Sequence, residues 1–309
     1  MTATLPAHSE SFTHVPPLQW EHVSCNLCGQ SESHVYHRER LPYFGSDVDF
    51  EIVRCDHCGL VYTNPRLSDY NAAYLWGSTE SEEEIESHAR AKTAVFRRAI
   101  NRIKHWQLQN GREPGGQMLD LGCGTGHFLQ SAQSQGFTGC GIEPADVPAR
   151  YAADRMGVEI IQANLYTASL PAGKFDVITA WDVIEHVSDP KGMLENCYRW
   201  LKPGGILALR FPSSTWQKIK GVILHGVFSS PRPSFAPTIH LYFFNEKTIS
   251  RLCEETGLKM LEVKTTLAET NSDSRLVDSI KVISHGLVRC LESACRRHLG
   301  NLEVYCQKR

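Results

Sequence analysis

The run of residues from Leu119 to Gly126 constrains the fold of this chain more than any other stretch. An apolar strand leads directly into three closely spaced glycines, Gly122, Gly124 and Gly126. Because glycine accepts a positive φ and has no Cβ, a ligand can lie against the main chain of such a loop. The dinucleotide fingerprint G-x-G-x-x-G needs a third glycine where this chain has His127. The spacing therefore predicts a nucleotide-like ligand and disfavours a dinucleotide-dependent oxidoreductase.

Strand patterns and helix patterns alternate along the chain from Met118 onward. A helix is predicted from about His127 to Gln135, and Gly136 ends it. Alternation of this kind argues for a parallel sheet that is covered by helices on both faces, so we expect a doubly wound α/β fold. The predicted strands are Met118–Leu121, Cys140–Glu143, Val158–Gln162, a buried stretch that begins at Phe175, Ile206–Arg210, Leu258–Thr265 and Asn301–Gln307.

Polar side chains follow the second and the fourth of these strands. Glu143 closes the second strand, where a carboxylate can accept hydrogen bonds from both hydroxyls of a ribose. The alternative is that Glu143 is a surface residue before Pro144. Asp182, Glu185 and His186 follow the fourth strand. Since ligands of open parallel sheets lie beyond the carboxyl ends of the strands, these three side chains are candidates for a site.

The glycine stretch after Asp120 resembles motif I of class I S-adenosylmethionine-dependent methyltransferases. The resemblance continues through Leu201–Gly205, interpreted as the turn before the fifth strand, and through His240–Phe244, and covers about residues 118–258. It implies a Rossmann-like sheet of seven strands that binds S-adenosylmethionine. The residues that it implies in cofactor binding are Asp120, Gly122, Gly124, Gly126, Glu143, Asn164, Leu165 and Asp182, although an Asp is commoner than Asn164 at the position that contacts adenine.

His186 is the candidate general base, because an imidazole titrates near neutral pH and this one follows the fourth strand. Its alternatives are a structural cap and a hydrogen-bonding partner of the substrate. Asp182, Glu185 and His186 also resemble the acid-x-x-Glu-His stretch of ubiquinone-pathway O-methyltransferases, which implies a divalent cation near these residues. The alternative there is a set of hydrogen bonds within the rim of the pocket.

Four of the eleven cysteines form two pairs, Cys25 with Cys28 and Cys55 with Cys58, and a glycine follows each pair. Two such C-x-x-C turns are typical of a zinc ribbon, in which four thiolates surround one ion. Four thiolates leave no position for water or substrate, so the predicted zinc is structural. The alternative is two unrelated pairs of reduced cysteines. A ribbon followed by such a core recurs among bacterial small-molecule methyltransferases, which implies a small-molecule acceptor, with methylation expected at a hydroxyl oxygen in biosynthetic or secondary metabolism.

The sequence divides into a flexible arm (1–20), the zinc-ribbon-like segment (21–68), a helical connector (69–113) and the methyltransferase domain (114–309). An insertion at 216–240 is expected to shape the acceptor pocket, and His240 and Tyr242 after it are candidates for substrate contact, although Leu241–Phe244 is more typical of a core. In the connector, helical spacing relates Ile85, His88, Ala91, Val95, Phe96, Ile100 and Ile103.

A helix with an apolar stripe is predicted over residues 276–298. The stripe is expected to pack on the domain or on a second subunit, and the alternative is peripheral contact with a membrane. No apolar run is long enough to span a bilayer. Since Met1–Glu10 also lacks the features of a signal peptide, a cytoplasmic location is expected.

The balance of charge favours no polyanionic partner, because 32 basic and 34 acidic residues give a net charge of -2. An RNA or protein methyltransferase, or a nucleic-acid-binding ribbon protein, is the rival interpretation, since zinc ribbons serve many nucleic acid proteins. The ribbon segment has few basic residues, and no Asn-Pro-Pro-Tyr type of motif follows the fourth strand. Both observations favour the small-molecule acceptor.

Overall fold

The computed structural model describes residues 18–43, 46–68, 82–226, 235–266 and 298–309, and in addition the single residues 286, 290 and 292. The strands are β1 (Trp20–Glu21), β2 (Ser33–Tyr43), β3 (Ser46–Cys55), β4 (Val61–Thr63), β5 (Arg66–Leu67), β6 (Gly116–Leu121), β7 (Phe137–Ile142), β8 (Glu159–Ile161), β9 (Phe175–Trp181), β10 (Leu201–Phe211), β11 (Tyr242–Phe243), β12 (Leu258–Thr265) and β13 (Leu302–Lys308). The helices are α1 (Glu82–Gln109), α2 (His127–Gln133), α3 (Asp146–Met156), α4 (Pro190–Trp200), α5 (Ser214–Gly226) and α6 (Glu246–Glu255).

Seven strands form the large sheet, in the order β12-β13-β10-β9-β6-β7-β8. Pairing is parallel from β10 to β8, and β13 runs antiparallel to both β10 and β12. At the centre β6 pairs with β9, with Met118 opposite Val177 and Leu121 opposite Ala180. β6, the first strand of this sheet along the chain, thus lies between β7 and β9. The connections that follow β6 and β8 therefore lead to opposite sides of β6. This is the switch point at which open α/β sheets bind ligands.

Residues along the strands alternate between two apolar layers, because successive side chains of a strand point to opposite faces. One layer joins Leu119 and Ile178 to helices α4 and α6, including the fully buried Trp200. The other joins Met118 and Val177 to helices α1, α2 and α3. Both faces of the large sheet are therefore covered, as the near-continuous apolar character of its strands requires.

A smaller sheet has the order β11-β4-β3-β2 and carries the cysteine-rich segment. Its first three strands along the chain form antiparallel pairs, and β1 pairs separately with β5. Strand β11 follows the insertion at 216–240 and pairs with β4. Ile52 and Val61 pack with Phe235 and Phe243 in one apolar cluster. The cysteine-rich segment thus shares a sheet and a core with the chain near residue 240.

The predicted seven-stranded α/β fold is confirmed, with each predicted strand present within a few residues. The main difference lies at Leu201–Gly205, predicted as a turn, which forms an irregular start of β10 with a shift of register before Ile206. The stripe Val95, Phe96, Ile100 and Ile103 is buried as expected. The described residues do not include the side chains of Ile85, His88 and Ala91 or residues 69–81. Of the predicted helix over 276–298, only residues 286, 290, 292 and 298 are described. None of the described helices has the length and apolar character needed to cross a membrane.

Candidate functional site

The glycine loop joins β6 to α2 at the carboxyl edge of the large sheet. Gly122, Gly124 and Gly126 have φ values of 58°, 52° and 79°. A Cβ on Gly122 would lie 2.8 Å from Val183 Cγ2, and one on Gly126 would lie 2.8 Å from Val158 Cγ2. A Cβ on Gly124 would meet no atom within 4 Å. Two of the glycines are therefore required by packing, while Gly124 borders open space where a ligand can approach the main chain.

Glu143 follows β7 and turns back toward this loop. Its Oε2 accepts a hydrogen bond of 2.9 Å from Gly124 N, and its Oε1 accepts one of 2.9 Å from Ala145 N. The residue is only 8% exposed, and burial raises the pKa of the carboxyl while the two backbone bonds oppose that rise. Each carboxylate oxygen has two acceptor positions, so Glu143 keeps one on each oxygen for a ligand that carries two hydroxyls.

Asp120 lies beneath the loop, near the end of β6. Its Oδ1 accepts a bond of 2.6 Å from Thr179 Oγ1, and burial raises the pKa of the carboxyl to about 7. Asn164 lies beyond β8, exposed, and its Oδ1 accepts a bond of 2.9 Å from Tyr166 N. Leu165 is buried in the apolar layer beside α4. The glycine loop, Glu143 and Asn164 thus follow three neighbouring parallel strands at one edge of the sheet.

Asp182 follows β9 and has a left-handed backbone with φ of 57°. Its Oδ2 accepts a bond of 2.6 Å from Arg210 Nη1 and one of 3.1 Å from Lys92 Nζ. Burial alone would raise the pKa of this carboxyl, but the charges of Arg210 and Lys92 hold it below its usual value. Asp182 is therefore an anion paired with two cations, one from β10 and one from α1.

Glu185, His186 and His240 form a cluster in which one potential ligand atom of each lies within 4.8 Å of the others. His186 Nδ1 donates a bond of 2.8 Å to the Ile239 carbonyl oxygen, and His186 Nε2 lies 3.8 Å from Glu185 Oε1. Burial lowers the pKa of His186, so its imidazole is neutral at pH 7. This tautomer leaves Nε2 as the basic nitrogen, on the side of Glu185.

Glu185 is buried to 1% exposure, and neither oxygen of its carboxyl group has a hydrogen-bond partner among the described residues. Burial raises the pKa of this carboxyl well above its usual value, and the nearby Asp182 raises it further. Gln217 of α5 is also buried, and its Nε2 lies 3.4 Å from His240 Nδ1. In the part of the chain that the structure describes, its Oε1 has no hydrogen-bond partner. A buried polar group without a partner is destabilising, so these atoms mark a place for a ligand.

The predicted trio of Asp182, Glu185 and His186 thus differs from the observed cluster, in which His240 stands instead of Asp182. The reason is the pairing of Asp182 with Arg210 and Lys92, which the local sequence does not reveal. His240 could be predicted as a substrate contact because it follows the insertion at 216–240. The sequence did not indicate Gln217, Arg210 or Lys92, since each belongs to an element that reaches the site only in the folded chain.

The four cysteines of the ribbon meet as the spacing predicts. Cys25 Sγ lies 3.4 Å from Cys58 Sγ, and Cys28 Sγ lies 3.5 Å from Cys55 Sγ, and all four are free thiols. The two turns are alike, because Gly29 N donates to Cys25 O and Gly59 N donates to Cys55 O. Tetrahedral zinc with Zn–S bonds of about 2.3 Å needs sulfur atoms about 3.8 Å apart. The observed cluster fits such an ion with small movements.

Comparison with known proteins assigns the family. A family model described as a methyltransferase domain matches residues 79–263, more than half of the chain. The chain belongs to this methyltransferase family. Its seven-stranded sheet is that of the class I S-adenosylmethionine-dependent enzymes, and a solved structure of the plantazolicin methyltransferase BpumL in complex with SAH shares the fold. That match has a TM-score of 0.52 and 17% identity, and covers 77% of this methyltransferase and 94% of BpumL.

Two curated relatives are ubiquinone biosynthesis O-methyltransferases. The protein of Pseudomonas putida (strain W619) is 37% identical over 114 residues, which are 34% of this chain and 49% of the relative. The protein of Thiobacillus denitrificans is 30% identical over 159 residues, which are 48% of this chain and 67% of the relative. The methyltransferase thus spans about half the length of the first relative and two thirds of the second.

Proposed function

We propose that this methyltransferase transfers a methyl group from S-adenosylmethionine to a hydroxyl oxygen of a small-molecule acceptor. One observation carries the proposal: the glycine loop with Glu143 follows β6 and β7, and the cluster of Glu185, His186 and His240 meets at the end of the adjacent β9, at the same edge of the sheet. A cofactor half and an acceptor half are therefore neighbours. The names of the two curated relatives support a hydroxyl acceptor.

In the cofactor half, the open space beside Gly124 and the remaining acceptor positions of Glu143 fit a ribose with two hydroxyls. Asp120 supports the loop from beneath. Asn164 and Leu165 would hold the adenine, and Asp182 would lie near the methionine end. Bound there, the cofactor supplies a methyl group on a good leaving group. The protein must then mainly align the reactants, which is worth about 7–11 kcal/mol of the barrier.

Near Glu185, His186 and His240, three buried oxygens have no hydrogen-bond partner among the described residues, two on Glu185 and one on Gln217. A ligand that donates hydrogen bonds, such as a hydroxyl, or one that carries positive charge fits these oxygens. His186 is neutral, and its basic nitrogen is Nε2, which lies 3.8 Å from Glu185 Oε1. We assign it the role of the base that takes the proton from the acceptor hydroxyl, a step worth typically about 10²–10⁴ in rate.

The ribbon is assigned a structural zinc ion held by Cys25, Cys28, Cys55 and Cys58, whose geometry fits a closed tetrahedral site. We assign the chain an arm (1–20), the ribbon (21–68), a helical connector (69–113) and the methyltransferase domain (114–309). The ribbon and the methyltransferase domain are joined through the pairing of β4 with β11.

The cofactor assignment predicts the behaviour of Glu143→Gln. Loss of the carboxylate charge weakens the bonds to both ribose hydroxyls, so the affinity for S-adenosylhomocysteine should fall about 10-fold to 100-fold, as for a hydrogen bond to a charged group. Isothermal calorimetry measures this change. The matched control is Glu159→Gln, an exposed glutamate on the neighbouring β8, which should bind as the wild type does. If Glu143→Gln bound S-adenosylhomocysteine as tightly as Glu159→Gln and the wild type do, the ribose assignment would be refuted.

The base assignment predicts the behaviour of His186→Asn, in which the amide can still donate to the Ile239 carbonyl oxygen. Methyl transfer should slow by about 10²-fold to 10⁴-fold while binding of S-adenosylhomocysteine is retained. In the wild type the rate should fall in acid with an apparent pKa below the usual value of about 6.5, because burial disfavours the protonated imidazole. Rates are measured against pH with an acceptor found by screening phenols and sugars. A persistent acid limb in the variant would remove His186 from this role.

A second candidate mechanism has a divalent cation between Glu185, His186 and His240, because these ligand atoms converge on one another. Carboxylate and imidazole ligands suit a borderline cation. Chelation of free divalent ions, with the ribbon zinc verified at one per chain, separates the two mechanisms. The base mechanism predicts unchanged methyl transfer after chelation. The cation mechanism would be established instead if chelation removed the activity, Mn²⁺ or Mg²⁺ restored it, and His240→Gln prevented that restoration.

A further inference from the structure

The sheet of the cysteine-rich segment contacts the chain that carries His240. Strand β4 pairs with β11, with Tyr62 opposite Tyr242. Thr63 N donates a bond of 2.9 Å to the Leu241 carbonyl oxygen, and Thr63 Oγ1 donates one of 3.1 Å to the His240 carbonyl oxygen. The carbonyl groups of His240 and of the next residue, Leu241, are thus bonded to β4.

Arg66 of β5 joins this strand to the loop that carries His186. Its guanidinium is buried, and Nη1 donates bonds of 3.1 Å to the Ser188 carbonyl oxygen and of 3.1 Å to Tyr242 Oη. Tyr242 Oη in turn donates a bond of 3.1 Å to the same carbonyl oxygen of Ser188. Glu21 accepts a bond of 2.6 Å from Arg66 Nε and so balances the buried charge. The planar guanidinium of Arg66 therefore bridges the loop after β9 and strand β11.

Asn26, in the first cysteine turn, makes a further contact with the same loop. Its Nδ2 donates a bond of 2.8 Å to Asp189 Oδ1, and its Oδ1 accepts one of 2.9 Å from Lys191 N. Asp189 is the N-cap of α4, where Oδ1 also accepts from Gly192 N. The loop from Glu185 to the start of α4 is thus fixed from the side of the cysteines.

The two loops are also bonded to each other. The Glu185 carbonyl oxygen accepts bonds of 2.7 Å from Leu241 N and 3.1 Å from Tyr242 N. The Ile239 carbonyl oxygen accepts the bond from His186 Nδ1 that fixes the tautomer of this imidazole. A shift of one loop against the other would break that bond and leave the choice of basic nitrogen undefined.

We propose that Arg66, assisted by Thr63 and Asn26, is a positioning residue through which the cysteine-rich segment sets the relative position of His186 and His240. The segment is then part of the machinery that binds the acceptor, and its contacts act on the acceptor half and leave the cofactor half unaffected. The inference rests on the proposed function, because it takes His186 and His240 as acceptor-side groups.

The test uses the full-length zinc-loaded protein, with Arg66→Met and a matched control, Arg38→Met, at an arginine on β2 whose side chain is 70% exposed. Nitrogen-15 NMR of the histidine rings reports the tautomer of His186. The wild type and Arg38→Met should show protonated Nδ1, whereas Arg66→Met should show a mixture of tautomers. Hydrogen exchange at Leu241 N and Tyr242 N should accelerate about 10-fold in Arg66→Met, the equivalent of roughly one hydrogen bond. Arg66→Lys should restore much of the wild-type behaviour, because the ammonium can still donate to Ser188.

Calorimetry with S-adenosylhomocysteine completes the test. The dissociation constants of wild type, Arg38→Met and Arg66→Met should agree within a factor of about two. Among the described residues, neither arginine shares a contact with the cofactor half, and changes at such independent sites affect each other little. A single Nδ1-protonated tautomer and unchanged exchange in Arg66→Met would overturn the proposal, and so would a joint loss of cofactor affinity. Absence of binding by the wild type would instead refute the proposed function.

A second variant covers the case in which Arg66→Met does not fold or loses zinc. Thr63→Val keeps the shape of the side chain and removes only the bond from Thr63 Oγ1 to the His240 carbonyl oxygen. The His240 ring resonances should then change while those of His127, beside the glycine loop, stay as in the wild type. Unchanged His240 resonances would contradict the positioning role.

Discussion

β6 and β9 lie side by side and parallel at the centre of the large sheet, so that both strands end at the same edge. The contact between the glycine loop and the residues after β9 depends on this pairing. The turn after β6 supplies the glycine loop, and the turn after β9 supplies Asp182, Glu185 and His186. Val183 connects the two turns directly, because it fills the space that a side chain on Gly122 would need. The pairing of two buried strands thus brings a ligand loop and a cluster of titratable groups into contact.

Burial gives these titratable groups their chemistry. In a medium that solvates charge poorly, Asp182 remains ionised because Arg210 and Lys92 surround it, whereas burial and the nearby Asp182 raise the pKa of Glu185. The same burial keeps His186 neutral. Two carboxyl groups and an imidazole within one turn of chain therefore have pKa values that are shifted in different directions. An imidazole that burial keeps neutral is suited to receive a proton from a hydroxyl.

The sequence allowed the prediction of features that are set by short-range spacing. The glycine loop, the cysteine turns and the alternation of strands and helices each depend on residues a few positions apart, and each is present in the structure. The contacts of His240 and Arg66 could not be predicted from such spacing. The partners of His240 in the cluster lie about 55 residues away along the chain, and those of Arg66 lie 122 and 176 residues away. Asp182 shows the same limit, because its pairing with Lys92 and Arg210 is a product of tertiary packing.

The cysteine-rich segment also acquires a different significance from its place in the fold. Four thiols at ribbon spacing indicate a small metal-stabilised unit, yet β11 completes its sheet and Arg66 reaches Ser188 and Tyr242. A segment with little core of its own thereby becomes one wall of the acceptor half. Under the proposed function, a zinc ion at the four cysteines would link the stability of this segment to the positions of His186 and His240.

A crystal structure of the protein with bound S-adenosylhomocysteine would show whether one edge of the large sheet holds a cofactor half and an acceptor half in contact. In this arrangement the ribose hydroxyls lie within hydrogen-bond distance of Glu143, about 2.5–3.0 Å, and the sulfur atom is directed toward Glu185, His186 and His240. A ligand bound elsewhere, or one whose sulfur points away from that cluster, would contradict it.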